Sequence, residues 1–123
     1  MKLSTLGIDK VKAPLPEGDY TVTLNHMEHT QNDEGGYIDL HFTVNQTGEQ
    51  DIMKMWPGRD PERTPYAFDM RHLARKIGKD IDTDKDINAQ IKDKTITLYF
   101  SHGYYKDGEY IDRLQWQHYK GRN

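Results

Sequence analysis

Eight consecutive residues, Tyr37-Ile38-Asp39-Leu40-His41-Phe42-Thr43-Val44, alternate between two chemistries without a break. Successive side chains of a strand point to opposite faces, whereas a helix would scatter this set around its circumference. The segment is therefore a half-buried strand. Ile38, Leu40, Phe42 and Val44 take the inward register, and Tyr37, Asp39, His41 and Thr43 the outward one. A chain built around such a strand needs a sheet with one covered face and one open face.

The same period recurs along the chain. Residues 19–26 carry Tyr20, Val22 and Leu24 on one side. Residues 95–101 place Ile96, Leu98 and Phe100 inward and Thr95, Thr97 and Tyr99 outward. Residues 50–56 and 110–118 read as two further strands. In the first of these, Met53 and Met55 alternate with Ile52, Lys54 and Trp56, and either set satisfies the inward face. In the second, Tyr110 and Trp116 share a face. Polar, glycine-bearing turns separate the strands at residues 30–36, 45–48 and 102–109.

One helix interrupts the series. Thr64-Pro65 reads as an N-cap followed by the first helical position, which predicts a helix over residues 65–77. Ala67, Met70, Ala74 and Ile77 form its apolar stripe, flanked by Tyr66 and Leu73, and Gly78 supplies the left-handed stop. Arg71, His72, Arg75 and Lys76 lie on the other side as a solvated face. The order is then three strands, a helix and two strands. That order predicts a mainly β chain forming a five-stranded antiparallel OB-fold barrel. Residues 1–17, rich in proline and glycine at their end, form a lead-in arm. Residues 18–119 form one OB-like domain, and residues 120–123 a short basic tail. A chain of 123 residues supports one core of this size.

Composition limits the function classes. Hydrophobic residues make up 34% and no apolar run approaches the roughly 20 needed to span a bilayer, so no membrane partner is expected. The first fifteen residues lack a secretory pattern. The absence of cysteine excludes disulfides, a zinc ribbon, an iron–sulfur site and a thiol nucleophile, and fits a reducing cytoplasm. Net charge is −3, but it is divided: residues 1–52 carry −6 and residues 53–76 carry +3.

Aromatic residues make up 11% of the chain, more rings than so small a core absorbs. Tyr37 and Tyr99 take outward registers, Trp56 ends the third strand, and Tyr105 lies in the last turn. Lys54, Arg59, Arg63 and Lys106 surround the groove that an OB-fold offers on strands 2 and 3 and the loops beside them. Single-stranded nucleic acid binds such a groove by stacking its bases on rings and its phosphates on cations. These eight residues are the expected nucleic-acid-binding set.

Other motifs are weaker. The acidic run Asp80-x-Asp82-x-Asp84-x-Asp86 has Ile87 where a calcium loop opening at Asp82 requires glycine, so it reads as a turn capping a short helix near residues 86–92. His26 and His29 lie three apart on a strand and point to opposite faces, so no metal pair is expected there. Asp39, Asp51 and Asp69 are the carboxylates that a metal-dependent nuclease would use. No nucleophile elbow, phosphate-binding loop or dinucleotide fingerprint is present, and neither enzymatic activity nor a cofactor is expected.

Several segments taken in order carry a resemblance. They are Pro14-Leu15-Pro16-Glu17-Gly18-Asp19-Tyr20-Thr21-Val22, then Phe42-Thr43-Val44, then Trp56-Pro57-Gly58, then Phe68-Asp69-Met70-Arg71-His72-Leu73-Ala74-Arg75-Lys76-Ile77-Gly78. Over roughly residues 14–100 the chain resembles small phage- and prophage-encoded OB-fold proteins of recombination and replication gene clusters, which are regarded as single-stranded-DNA-binding. Residues 120–123 are basic where many single-stranded-DNA-binding proteins carry an acidic tail. The resemblance implies sequence-tolerant binding of single-stranded DNA in the host cytoplasm, with replication or recombination proteins as partners; because one OB-fold grips only roughly 4–16 nucleotides, a homo-oligomer is expected for useful affinity. The alternatives are an interaction module for such a protein, or a nuclease.

Overall fold

The computed structural model describes residues 1–10, 15–33, 35–58, 64–106 and 109–116, with the side chains of 103–106 and 109–111 left aside. Five antiparallel strands form one sheet: β1 (Gly18–Thr30), β2 (Tyr37–Val44), β3 (Gln50–Met55), β4 (Thr95–Lys106) and β5 (Glu109–Gln115). Their order across the sheet is β3-β2-β1-β4-β5, and the sheet curls strongly into a half-barrel consistent with an OB-like fold. The long central β1 makes this possible. Its first half pairs with β4 from Gly18–Phe100 to Thr23–Thr95, and its second half runs with β2 out to Thr30–Tyr37.

The core follows the alternation. Val22, Leu24, Leu40, Phe42 and Leu98 are fully buried, with Val44, Ile96 and Phe100 close behind. Met55 is fully buried while Trp56 is 54% exposed, which resolves the register of β3 in favour of an outward Lys54 and Trp56.

Two strands are longer than their local patterns indicate, because each contains a bulge. In β1 the partners step from Leu24–Phe42 to His26–His41, leaving Asn25 as an extra residue. The bulge reverses the parity of the strand: Met27 becomes inward, and His26 and Glu28 turn outward. In β4 a second shift falls between Ser101 and Tyr104, so the strand continues through residues 102–103 to the paired residues 104–106, where their glycine implied a turn. Glycine inside a strand often marks such an irregularity.

A short 3-10 turn, η1 (Leu3–Leu6), lies in the exposed first ten residues. Helix α1 (Ala67–Ile77) begins later than Thr64-Pro65 indicates. Its N-cap is Tyr66, in the left-handed region at φ 62°. The Tyr66 amide donates to Pro57 O at 3.3 Å, and its ring packs against the core, so the chain enters the helix from a position set by tertiary contacts. Leu73, expected only to flank the apolar stripe, is the fully buried anchor of α1. Gly78 ends the helix at φ 79° as expected. Arg71, Arg75 and Lys76 are exposed.

Helix α2 (Ile87–Ile91) follows the acidic turn. Asp86 caps it by accepting from Asn88 N, while Asp82 accepts from Asp84 N at 3.0 Å and Gln90 donates to Asp82 O at 2.9 Å. The aspartates here organise backbone, as the capping interpretation requires.

Trp116, just past β5, is only 5% exposed and therefore is not a surface ring. Its indole N–H donates to Asp69 Oδ1 at 2.9 Å, and it lies parallel to the His72 imidazole at 5.9 Å. Burial raises the Asp69 carboxyl above its ordinary range, against the lowering effects of the indole bond and of His72. Burial, helped by Arg75, holds His72 below its ordinary value.

Candidate nucleic-acid interface

The outward face of β1, β2 and β3 is a grid whose rows run across the strands. One row contains Glu28, Asp39 and Lys54, and the next contains His26, His41 and Ile52. One step beyond the Ile38–Met55 pair come Tyr37 and Trp56, whose ring centroids are 5.3 Å apart at an interplanar angle of 54°. The period of β2 puts Tyr37 there, and the register of β3 puts Trp56 beside it. Two large rings thus form a tilted platform at one end of the face.

Lys54 organises this corner. Its Nζ stands 3.7 Å from the Tyr37 ring centroid and 5.9 Å from that of Trp56. The same ammonium is 3.4 Å from Asp39 Oδ1, an ion pair without a hydrogen bond. An exposed ammonium over a ring contributes about 0.5–1 kcal/mol, and a surface ion pair about 0–1 kcal/mol. Neither interaction locks Lys54, so a phosphate can draw it away from Asp39.

The structure does not gather the whole expected set. Tyr37, Lys54 and Trp56 converge. Tyr99 takes its outward register, but it pairs with Asp19 near the start of β1, whereas Tyr37 pairs with Thr30 at its end. At about 3.3 Å per residue that separation is roughly 30 Å along the strand. Tyr105 and Lys106 lie on the paired end of β4, opposite Tyr110 and Glu109. Their side chains, and all of Arg59 and Arg63, lie outside the described residues. The three nuclease carboxylates are engaged separately: Asp39 with Lys54, Asp51 with the Ile52 amide, and Asp69 with Trp116.

Beside the platform, His26 and His41 stack face to face with centroids 4.2 Å apart. His41 is visible in the sequence as an outward residue of β2. His26 is not, because strict alternation from Leu24 assigns it inward, and only the Asn25 bulge reverses that. The pair borders a cleft of about 380 Å³ lined by Asn25, His26, His41, Gln50, Asp51 and Ile52, with Phe42 at its base.

No family model matches the chain, and no curated protein is significantly similar to it in sequence.

Proposed function

We propose that the chain binds single-stranded DNA without strong sequence preference, in the replication or recombination of a phage. The observation that carries this reading is the pairing of the exposed Trp56 with the half-buried Tyr37, with Lys54 over the Tyr37 ring, on the outward face of β2 and β3 of an OB-like half-barrel. Every base has a π-face, so stacking on two rings tolerates any sequence. Lys54 meets the phosphate of a stacked nucleotide. Arg59 and Arg63 follow it in sequence and extend the basic stretch; Tyr99, Tyr105 and Lys106 extend the set towards β4. The resemblance of residues 14–100 to small phage-encoded OB-fold proteins, read from the sequence alone, favours the same assignment. One OB-fold grips roughly 4–16 nucleotides, and a homo-oligomer multiplies that grip by raising the effective concentration of neighbouring sites.

The test is a titration with oligo-dT followed by tryptophan fluorescence at several salt concentrations. Binding quenches the emission, and affinity falls with salt at a slope of about −0.7 per phosphate contacted. No quenching, with no mobility shift of labelled single strand at low salt, overturns the proposal.

A second reading has one observation in its favour. Lys54 shares its row with two carboxylates, Asp39 beside it and Glu28 across the row. Carboxylates beside these rings suit a basic protein segment, such as one from a replication or recombination protein. Salt-insensitive oligo-dT binding, or none, favours this reading.

A further inference from the structure

The Asn25 bulge brings three metal-binding side chains together on adjacent strands. His26 and His41 become direct cross-strand partners, and Glu28 lies one outward position further along β1. Glu28 bridges the two imidazoles: its Oε1 is 3.1 Å from His26 Nε2, and its Oε2 is 3.7 Å from His41 Nε2. All three donor groups fall within 4.8 Å of one another.

The two carboxylate–imidazole separations lie close to those between neighbouring donors of a coordination shell. Zinc holds nitrogen and oxygen ligands at about 2.0–2.1 Å in a tetrahedron, so neighbouring donors sit roughly 3.3 Å apart. A second observation is independent of the spacing. His41 Nε2 is buried and makes no hydrogen bond; its one close polar contact among the described residues is Glu28 Oε2, at a distance too long for one. Buried polar atoms are almost always satisfied, and one that is not calls for an explanation. The cleft is bordered by both histidines, and Glu28 is not among its lining residues.

We infer that His26, Glu28 and His41 form a binding site for a divalent cation of the zinc class, with water completing its coordination from the solvent that the exposed Glu28 faces. Two imidazoles and one carboxylate favour zinc over magnesium or calcium, which take oxygen donors. His29 is not part of the site, since it takes the opposite register of β1, paired with Ile38. Binding must also open the histidine stack. The rings are now 12° from parallel, and a lone pair lies in its ring plane, so two parallel imidazoles cannot both aim at one ion. The inference stands on its own, whether or not the neighbouring platform binds DNA.

The test is calorimetric titration of the full chain, stripped with chelator, with zinc chloride. The expected result is one zinc per chain, with affinity at least tenfold weaker in His26→Gln, in His41→Gln and in Glu28→Gln, and within twofold of wild type in His29→Gln. Nitrogen-15 imidazole spectra of the wild-type chain provide a readout that does not depend on any variant folding. Zinc should shift the His26 and His41 ring nitrogens and leave those of His29, His72 and His102 in place. Absence of saturable binding overturns the inference. So does binding that persists unchanged in the His26→Gln/His41→Gln double variant, or that shifts other histidines instead.

Discussion

The side-chain amide of Asn88 takes the place of a strand beside Met27. Its Oδ1 accepts from the Met27 amide at 2.7 Å, and its Nδ2 donates to the Met27 carbonyl at 3.2 Å. This occurs just past the point where β4 leaves β1, at the Thr23–Thr95 pair. Met27 is inward and buried, so its backbone groups need partners that the sheet no longer supplies. Asn88→Ala removes both bonds at once. Each orphaned group costs about 1–3 kcal/mol, and a loss of roughly 2–4 kcal/mol in urea unfolding is expected. A loss below 0.5 kcal/mol, on the order of the change at an ordinary surface site, would show that water replaces the amide.

The turn into β2 depends on Gly36. It sits at φ 90°, and a Cβ there would collide with the Thr30 carbonyl oxygen and crowd the His29 ring. Both the backbone conformation and the space exclude a side chain. Gly36→Ala is expected to destabilise the chain by more than about 1 kcal/mol. It should also weaken oligo-dT binding, because it displaces Tyr37 next to it. Gly35→Ala, at φ 97° but with open space around it, is the milder control. Thermal unfolding of the two variants side by side checks the difference.

The two tryptophans separate binding from folding. Trp56 is exposed and Trp116 is buried. Trp56→Ala should leave the unfolding midpoint nearly unchanged. It should weaken oligo-dT binding by roughly 5- to 150-fold, the equivalent of one stacked base at about 1–3 kcal/mol. Trp116→Phe should retain the fluorescence quenching and lose stability, because Asp69 then keeps a half-buried carboxyl without its indole donor. Quenching that survives Trp56→Phe and disappears in Trp116→Phe would place the ligand elsewhere.

Asp69 adds a pH dependence of known sign. Its carboxyl is raised by burial above 3.8, so the folded chain holds this proton more tightly than the unfolded chain. The stability it contributes is present below 3.8 and is lost as pH rises through the folded value. Asp69→Asn keeps an oxygen for the Trp116 indole and cannot ionise. The variant should therefore gain on the wild type between pH 4 and 7, with the difference levelling off at lower pH. The lowered His72 acts in the opposite sense, losing stability as pH falls below its ordinary value, and Asp69→Asn deepens that loss by removing the carboxylate that raises it, so the comparison is cleanest in a His72→Gln background. A variant that loses ground towards neutral pH would mean that the ionised carboxylate–indole bond outweighs desolvation.

Burial along β2 and the first part of β4 was legible in the residues, because an alternating strand has only one register that hides Leu40, Phe42 and Leu98. The strand order followed, since two runs of strands separated by one helix have few ways to pair. The acidic turn before α2 was legible for a similar reason: the missing glycine leaves capping as the role for its aspartates. Each of these features is decided within about ten residues.

The remaining features needed the tertiary structure. Met53 and Met55 are as apolar as their neighbours, so only pairing with β2 set Trp56 outward. Thr64-Pro65 carries a strong local helix start, yet the Tyr66 amide and ring bind elsewhere and delay it. Trp116 has the chemistry of a surface ring, and only the arrival of Asp69 and His72 from α1 gave its N–H a buried partner. The His26–Glu28–His41 cluster is the clearest case. Its members are fifteen residues apart at most, but an unpaired Asn25 turns two of them to the face of the third. Alternation is a property of one strand and can be read along the chain, whereas a bulge is a mismatch between two strands and exists only once they pair.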